Sequence, residues 1–230
     1  TELKEEISKT KMPHRAIMHS MLAEMYWMYY EANRWKFANR TATVNFDNND
    51  IKTWDLNTLA AHVIRHFNLS LQESEQLKQA STKNFDIIIT KGGKPEKLRP
   101  TLYDFLAHRA IDFFISNELS VTHPADKFEI KEDFYFTPVN EFVKIDISTQ
   151  DTLSLTFQTF KIMQDLLTFR LEQKNETDAL LDANIRRIKL VYEKSVHPEK
   201  DELYLKALDR LIEKHSGNPL IAQVYYAKAT

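Results

Sequence analysis

Residues 99–116 read RPTLYDFLAHRAIDFFIS, and this stretch decides the fold class. It follows the chain's clearest break, Gly92-Gly93-Lys94-Pro95, and opens on a second proline, Pro100. Thr101 and Asp104 stand at the spacing of a capping box, in which each side chain satisfies a free amide of the first helical turn. Leu102, Leu106, Ala110 and Phe113 then draw one apolar stripe, and Phe105 and Phe114 widen it. A helix apolar over so wide an arc is predicted to be central, with helices packed on more than one side.

The totals point the same way. The chain has 230 residues, 3 glycines, 7 prolines, no cysteine and a formal charge of −2. That length is enough to bury a substantial core. Tight-turned β-sandwiches and barrels use glycine freely, so its scarcity favours helices joined by short polar loops. Near-neutral charge lacks the basic footprint of a nucleic-acid binder. Without cysteine there are no disulfides, thiolate metal sites or cysteine nucleophile. No apolar run approaches the roughly 20 residues of a membrane span. The start at Thr1, with no signal-like segment, reads as an excised piece or a processed product.

The expected fold is all-α: stacked, irregular antiparallel helical hairpins, a long aromatic-rich loop, and room for one short β-hairpin. Residues 1–230 are read as a single helical domain; the alternative is a subdivision into 1–117 and 148–230 joined by the irregular segment 118–147. Residues 2–11 suggest a helix end. Pro13 suits the first turn of a helix running to about Trp35, with Ile17, Met21, Leu22, Met25, Trp27, Met28 and Tyr29 over most of its circumference, read as helix packing. Residues 36–52 form a polar connection. Thr53 can cap a helix with Trp54, Leu56, Leu59, Ala60, Val63, Ile64 and Phe67 inward, and Ser70 can begin another to about Ala80. Phe85–Thr90, FDIIIT, is the best strand candidate. Residues 118–147 carry Phe128, Phe134, Tyr135, Phe136 and Phe142 and are expected to lie across the helices with their rings buried.

The last third reads as helix throughout. Ser148 or Thr149 starts one with Leu153, Phe157, Phe160, Leu167 and Leu171. Leu181, Ile185, Ile188 and Tyr192 mark the next. Pro198 opens a third with Tyr204, Ala207, Leu208 and Leu211, and Pro219 restarts the chain for Leu220, Ile221, Val224 and Tyr225. The pair 203–230 loosely echoes a tetratricopeptide unit through Ala222 and Tyr226.

Several constellations bear on chemistry. His62 and His66 have the i, i+4 spacing of two metal ligands, with a partly exposed helix face as the plainer reading. Asp104, His108 and Asp112 share a face and could handle protons, although Arg99 and Arg109 nearby favour a solvated ion-pair network. Gly92-Gly93-Lys94 is too short for a phosphate loop. Arg186, Arg187 and Lys189 read as a solubilising face, and Trp27, Tyr29, Tyr30, Trp35 and Phe37 as packing rather than a ligand platform. No catalytic, cofactor-binding or metal residue is assigned, and no cofactor is implied.

The stretches HSMLAEMYWMYYEANRWKFANRT (19–41) and RPTLYDFLAHRAIDFF (99–114) resemble the N-terminal helical region of very large alpha-2-macroglobulin family proteins of Bacteroidetes-type bacteria. The resemblance implies a non-enzymatic scaffold or interaction module in a periplasmic or cell-envelope protein whose parent acts as an endopeptidase inhibitor. It implies as partners the downstream domains of the same polypeptide, and proteases or other envelope proteins. The thioester and bait region of related proteins are not in this sequence, so no site residue carries over. Trp27, Trp35 and Phe136 are candidate contact residues. A stand-alone helical-repeat peptide-binding module is the alternative. A helical metal-dependent enzyme using His62, His66, Asp104 and His108 is a further one.

Overall fold

The structure, a computed structural model, describes residues 2–38, 50–89, 95–116, 127–173 and 177–229. Its helices are α1 (Glu2–Lys9), α2 (His14–Ala32), α3 (Arg34–Ala38), α4 (Leu56–Leu71), α5 (Ser74–Gln79), α6 (Pro95–Leu98), α7 (Leu102–Ser116), α8 (Val139–Phe142), α9 (Leu155–Glu172), α10 (Thr177–Lys194), α11 (Lys200–His215) and α12 (Ala222–Ala229). The fold is all-α. Among the described residues there is no sheet, only two isolated bridges, Ser81 with Thr101 and Ile130 with Ser195.

Helix α7 is central. Its capping box forms: the Thr101 N–H donates to Asp104 Oδ2 at 2.9 Å, and the Asp104 N–H donates to Thr101 Oγ1 at 3.3 Å. Such caps contribute about 0.5–2 kcal/mol. Backbone bonds from Leu102 to Ala80 and from Thr82 to Pro100 pin the entry to the helix. The residues of α7 are buried over most of its circumference, and it packs on α9, α5, α4 and α2. Phe67 of α4 meets Phe113 and Phe114 at 4.8 and 5.2 Å, tying the N-terminal helices to the centre.

Helix α2 lies along α4 in the most extensive helix pairing of the molecule. His19 and Tyr26 of α2 meet His66 and His62 of α4, while Ser20 and Trp27 turn to Arg109 and Phe113 of α7. Leu59, Ala60, Val63, Ile64 and Phe67 of α4 are inward as the periodicity predicts. The cap of α4 is Asp55 rather than Thr53: its Oδ1 accepts the Thr58 N–H at 2.7 Å, and a short 3₁₀ turn, Ile51–Thr53, precedes it. Ser70 does not begin a helix, since α4 runs through it. Helix α2 stops at Ala32, short of Trp35, and α3 resumes after Asn33.

FDIIIT is not a strand over its described residues. Thr82–Phe85 is a 3₁₀ turn, and the N–H groups of Ile88 and Ile89 both return to the Phe85 carbonyl. Phe85 and Ile89, four apart, are therefore the buried pair, while Ile87 and Ile88 face water. The local period is helical, and among the described residues no strand stands beside it to supply a ladder.

Helices α9 to α12 each pack on the next in sequence. Tyr204, Ala207, Leu208 and Leu211 are all buried, and Tyr192 stacks on Tyr204 at 4.2 Å. Helix α9 begins later than Ser148 or Thr149. Ser154 is its cap, accepting the Phe157 N–H at 3.2 Å. The residues before it brace the aromatic segment, as where Asp151 accepts the Phe128 N–H.

That segment, described over 127–147, crosses the helices with Phe128, Ile130, Tyr135, Phe136, Phe142 and Ile147 buried. It forms no β-hairpin among its described residues. Lacking a strand partner, its carbonyls need other donors. Gln164 of α9 donates to the carbonyls of Phe142 (3.1 Å) and Ile145 (2.8 Å). Arg187 of α10 donates to those of Tyr135 (2.7 Å) and Thr137 (2.9 Å), and Arg210 of α11 to that of Phe136. Ser195 and Val196 hold the Ile130 carbonyl. One contiguous cluster of buried side chains runs from Ile7 to Val224.

Candidate functional site

The histidines of α4 pair differently from their spacing. His66 turns to His19 of α2, Nδ1 to Nδ1 at 2.9 Å. One ring must donate and the other accept, so the contact requires at least one neutral imidazole. His62 instead lies flat on Trp54, 3.9 Å between centroids. Burial lowers the His66 pKa to about 3, with His19, Arg65, His62 and Lys4 adding repulsion, and burial and Arg15 lower that of His19. Among the described residues no cluster of three or more His, Asp or Glu side chains could hold a metal ion.

The α7 row is drier than the expected solvated network. Asp104 and Arg170 of α9 are 1% and 0% exposed and meet through Nε–Oδ1 and Nη2–Oδ2, both 2.8 Å. Arg186 of α10 bridges His108 Nδ1, at 2.9 Å, and the more exposed Asp112. Burial, with Arg99 and Arg186 adding to it, holds the His108 pKa well below its ordinary value. His108 is thus a neutral acceptor at Nδ1, which leaves its proton on Nε2. Arg99 pairs with Asp182 at 2.7 Å, and Arg109 reaches Ser20 (2.9 Å) and Glu24. These groups join α7 to α2, α9 and α10.

Arg187 corrects the reading of 186–189 as a solubilising face. Its side chain is fully buried, with Nε donating to Asn184 Oδ1 at 2.9 Å in addition to the two carbonyls. Burial, then Arg210, lowers its pKa to about 9. The signal was present in the sequence: Ala183, Arg187 and Val191 lie on one helical stripe, and both neighbours are buried. Arg170 likewise shares a stripe with Met163, Leu166 and Leu167.

The candidate contact residues divide. Trp27 is buried with its ring edge-on to Phe113 at 5.5 Å, and Phe136 is buried beneath Arg210. Both belong to the core, because each fills a junction between helices. Only Trp35 faces water, 71% exposed. Met21, Met25 and Met28, expected to pack between helices, lie on the outer face of α2 at 47, 50 and 64% exposure. Their spacing of four and three makes one continuous stripe. Ala222 and Tyr226 are both exposed, so the tetratricopeptide-like pair does not pack inward. Gly92-Gly93-Lys94 lies outside the described residues.

The fold defines an all-α helical protein, with no described helix long and apolar enough to cross a membrane. No protein-family model, curated protein or solved structure matches this chain.

Proposed function

We propose that this chain is a non-enzymatic helical interaction module of a larger alpha-2-macroglobulin-like protein of the bacterial cell envelope, and that it docks a following domain of that polypeptide. The observation that carries this reading is the outward stripe Met21, Met25 and Met28 on α2, with the exposed Trp35 following on α3. It falls inside the family-like stretch 19–41. Unbranched thioether side chains adapt to irregular surfaces and recur where helices meet partners. The paired charges of α7 support binding over catalysis, since Asp104, Arg170 and Arg186 are engaged in joining helices. Helices α9 to α12, each packed on the next, act as the brace. The parent serves as a periplasmic endopeptidase inhibitor.

The test is the size and place of the native polypeptide, read with an antibody to this chain on fractionated cells. A band several times larger than 27.1 kDa in the envelope fraction supports the proposal. A band near that mass in the cytoplasm rejects it. In the first case Met25→Glu should release the chain from the following domain without unfolding it.

A further inference from the structure

Helices α10 and α11 and the crossing segment 136–139 enclose a cavity of about 80 Å³. Its walls are largely apolar, with Leu181, Ile188 and Leu211 among them. Its cationic side chains are Arg187, Arg210 and Lys214; Thr137, Asn184 and His215 also line it, and no carboxylate does. Elsewhere Arg99, Arg109, Arg170 and Arg186 each hold an acid. Arg187 and Arg210, among the described residues, donate only to carbonyls and one side-chain amide. A guanidinium offers five N–H donors, and those bonds use three of Arg187's five. A fully buried cation without a counter-charge costs several kcal/mol relative to one that is paired. An anion entering this cavity offsets that cost.

We propose that this cavity binds a small carboxylate bearing an apolar group, its carboxylate among Arg187, Arg210 and Lys214 and its hydrocarbon body between α10 and α11. The apolar walls favour a monoanion with a hydrocarbon body over a compact, heavily hydrated phosphate. The volume admits a group about the size of one aliphatic or aromatic side chain. Two sources share this chemistry: a free short-chain acid, and the C-terminal residue of a polypeptide. The inference is independent of the methionine stripe, which lies on α2.

The experiment is calorimetric titration of the full chain with 4-methylpentanoate, its neutral amide, inorganic phosphate, and a peptide ending in leucine as free acid and as C-terminal amide. The expected result is saturable binding of a carboxylate below about 1 mM, with the matching amide at least about tenfold weaker. Tighter binding of the free acid names a metabolite site; tighter binding of the peptide acid names a C-terminus receptor. Arg187→Gln risks the fold through its carbonyl bonds, so Lys214→Glu, on the exposed rim, is the deciding variant. It should keep the circular dichroism of the parent chain and lose about tenfold or more in affinity. No saturable binding of either acid, equal binding of acid and amide, tighter binding of phosphate, or unchanged affinity in Lys214→Glu each overturns the proposal.

Discussion

Asp104 and Arg170 face each other across α7 and α9 in a two-pronged contact, 2.8 Å in each limb, with both side chains out of water. Asp104 also closes the capping box of α7, so one carboxylate both starts the central helix and joins it to α9, the helix it packs on most extensively. Removing one charge leaves the other buried. Arg170→Met is expected to cost about 3–5 kcal/mol. Adding Asp104→Asn, which keeps an acceptor for Thr101, should recover a large part of it. Urea denaturation of both variants decides; a double variant no more stable than Arg170→Met would show that the arginine acts through packing alone.

The His19–His66 contact predicts weakening in acid. The folded-state pKa of His66 is lowered from 6.5 to about 3, and that of His19 is also lowered, so the folded chain binds fewer protons than the unfolded one. The sign follows: stability is full above pH 6.5 and falls progressively as pH drops from there towards 3. By about pH 5 the loss from His66 is on the order of 2 kcal/mol. Thermal melts of the parent chain and of His66→Gln, compared from neutral to mildly acid pH, isolate this from carboxylate titration. Parallel curves would refute it.

The two faces of α2 should respond oppositely to substitution. Trp27→Ala empties a buried site against Phe113 and is expected to cost about 3–5 kcal/mol. Met28→Glu on the outer face of α2, and Trp35→Ala on the following α3, should each shift stability by no more than about 0.5 kcal/mol. Chemical denaturation reads the difference, and equal losses would place the methionine stripe in the core.

Gln164 tests how the crossing segment is held. Gln164→Leu keeps the volume roughly but strips donors from the carbonyls of Phe142 and Ile145. The Phe142 carbonyl keeps the Ile145 N–H, so the expected cost is about 1–3 kcal/mol for the Ile145 carbonyl left without its donor. Hydrogen exchange should rise first in residues 136–147 while α2 and α4 keep their protection. A uniform rise would mean the segment does not open as a local unit.

Much of the architecture was legible from local patterns. The capping box at Thr101 and Asp104, the wide apolar arc of 102–114 and the inward stripes of α4 and α11 are periodic signals that neighbouring residues create among themselves. The aromatic density of 118–147 foretold the burial of Phe128, Tyr135, Phe136 and Phe142, with Phe134 half-buried, because so many rings cannot remain in water. FDIIIT misled because a run of isoleucines suits a strand only where another strand pairs with it.

The candidate sites were less legible, for one physical reason. Periodicity determines which residues share a face; it does not determine what covers that face. Met21, Met25 and Met28 looked like packing and lie in water, because α4 and α7 cover the other side of α2. Arg187 read as part of a solubilising face and is buried, meeting the carbonyls of the crossing segment, and the buried Arg170 meets a carboxylate 66 residues away. His66 found its partner in His19, 47 residues back, rather than in His62 four residues away. The amino-acid sequence by itself determined that the chain is helical and which helix stands at its centre. Tertiary structure alone decided which groups meet the buried polar side chains, because burial of a charge depends on distant partners that satisfy it.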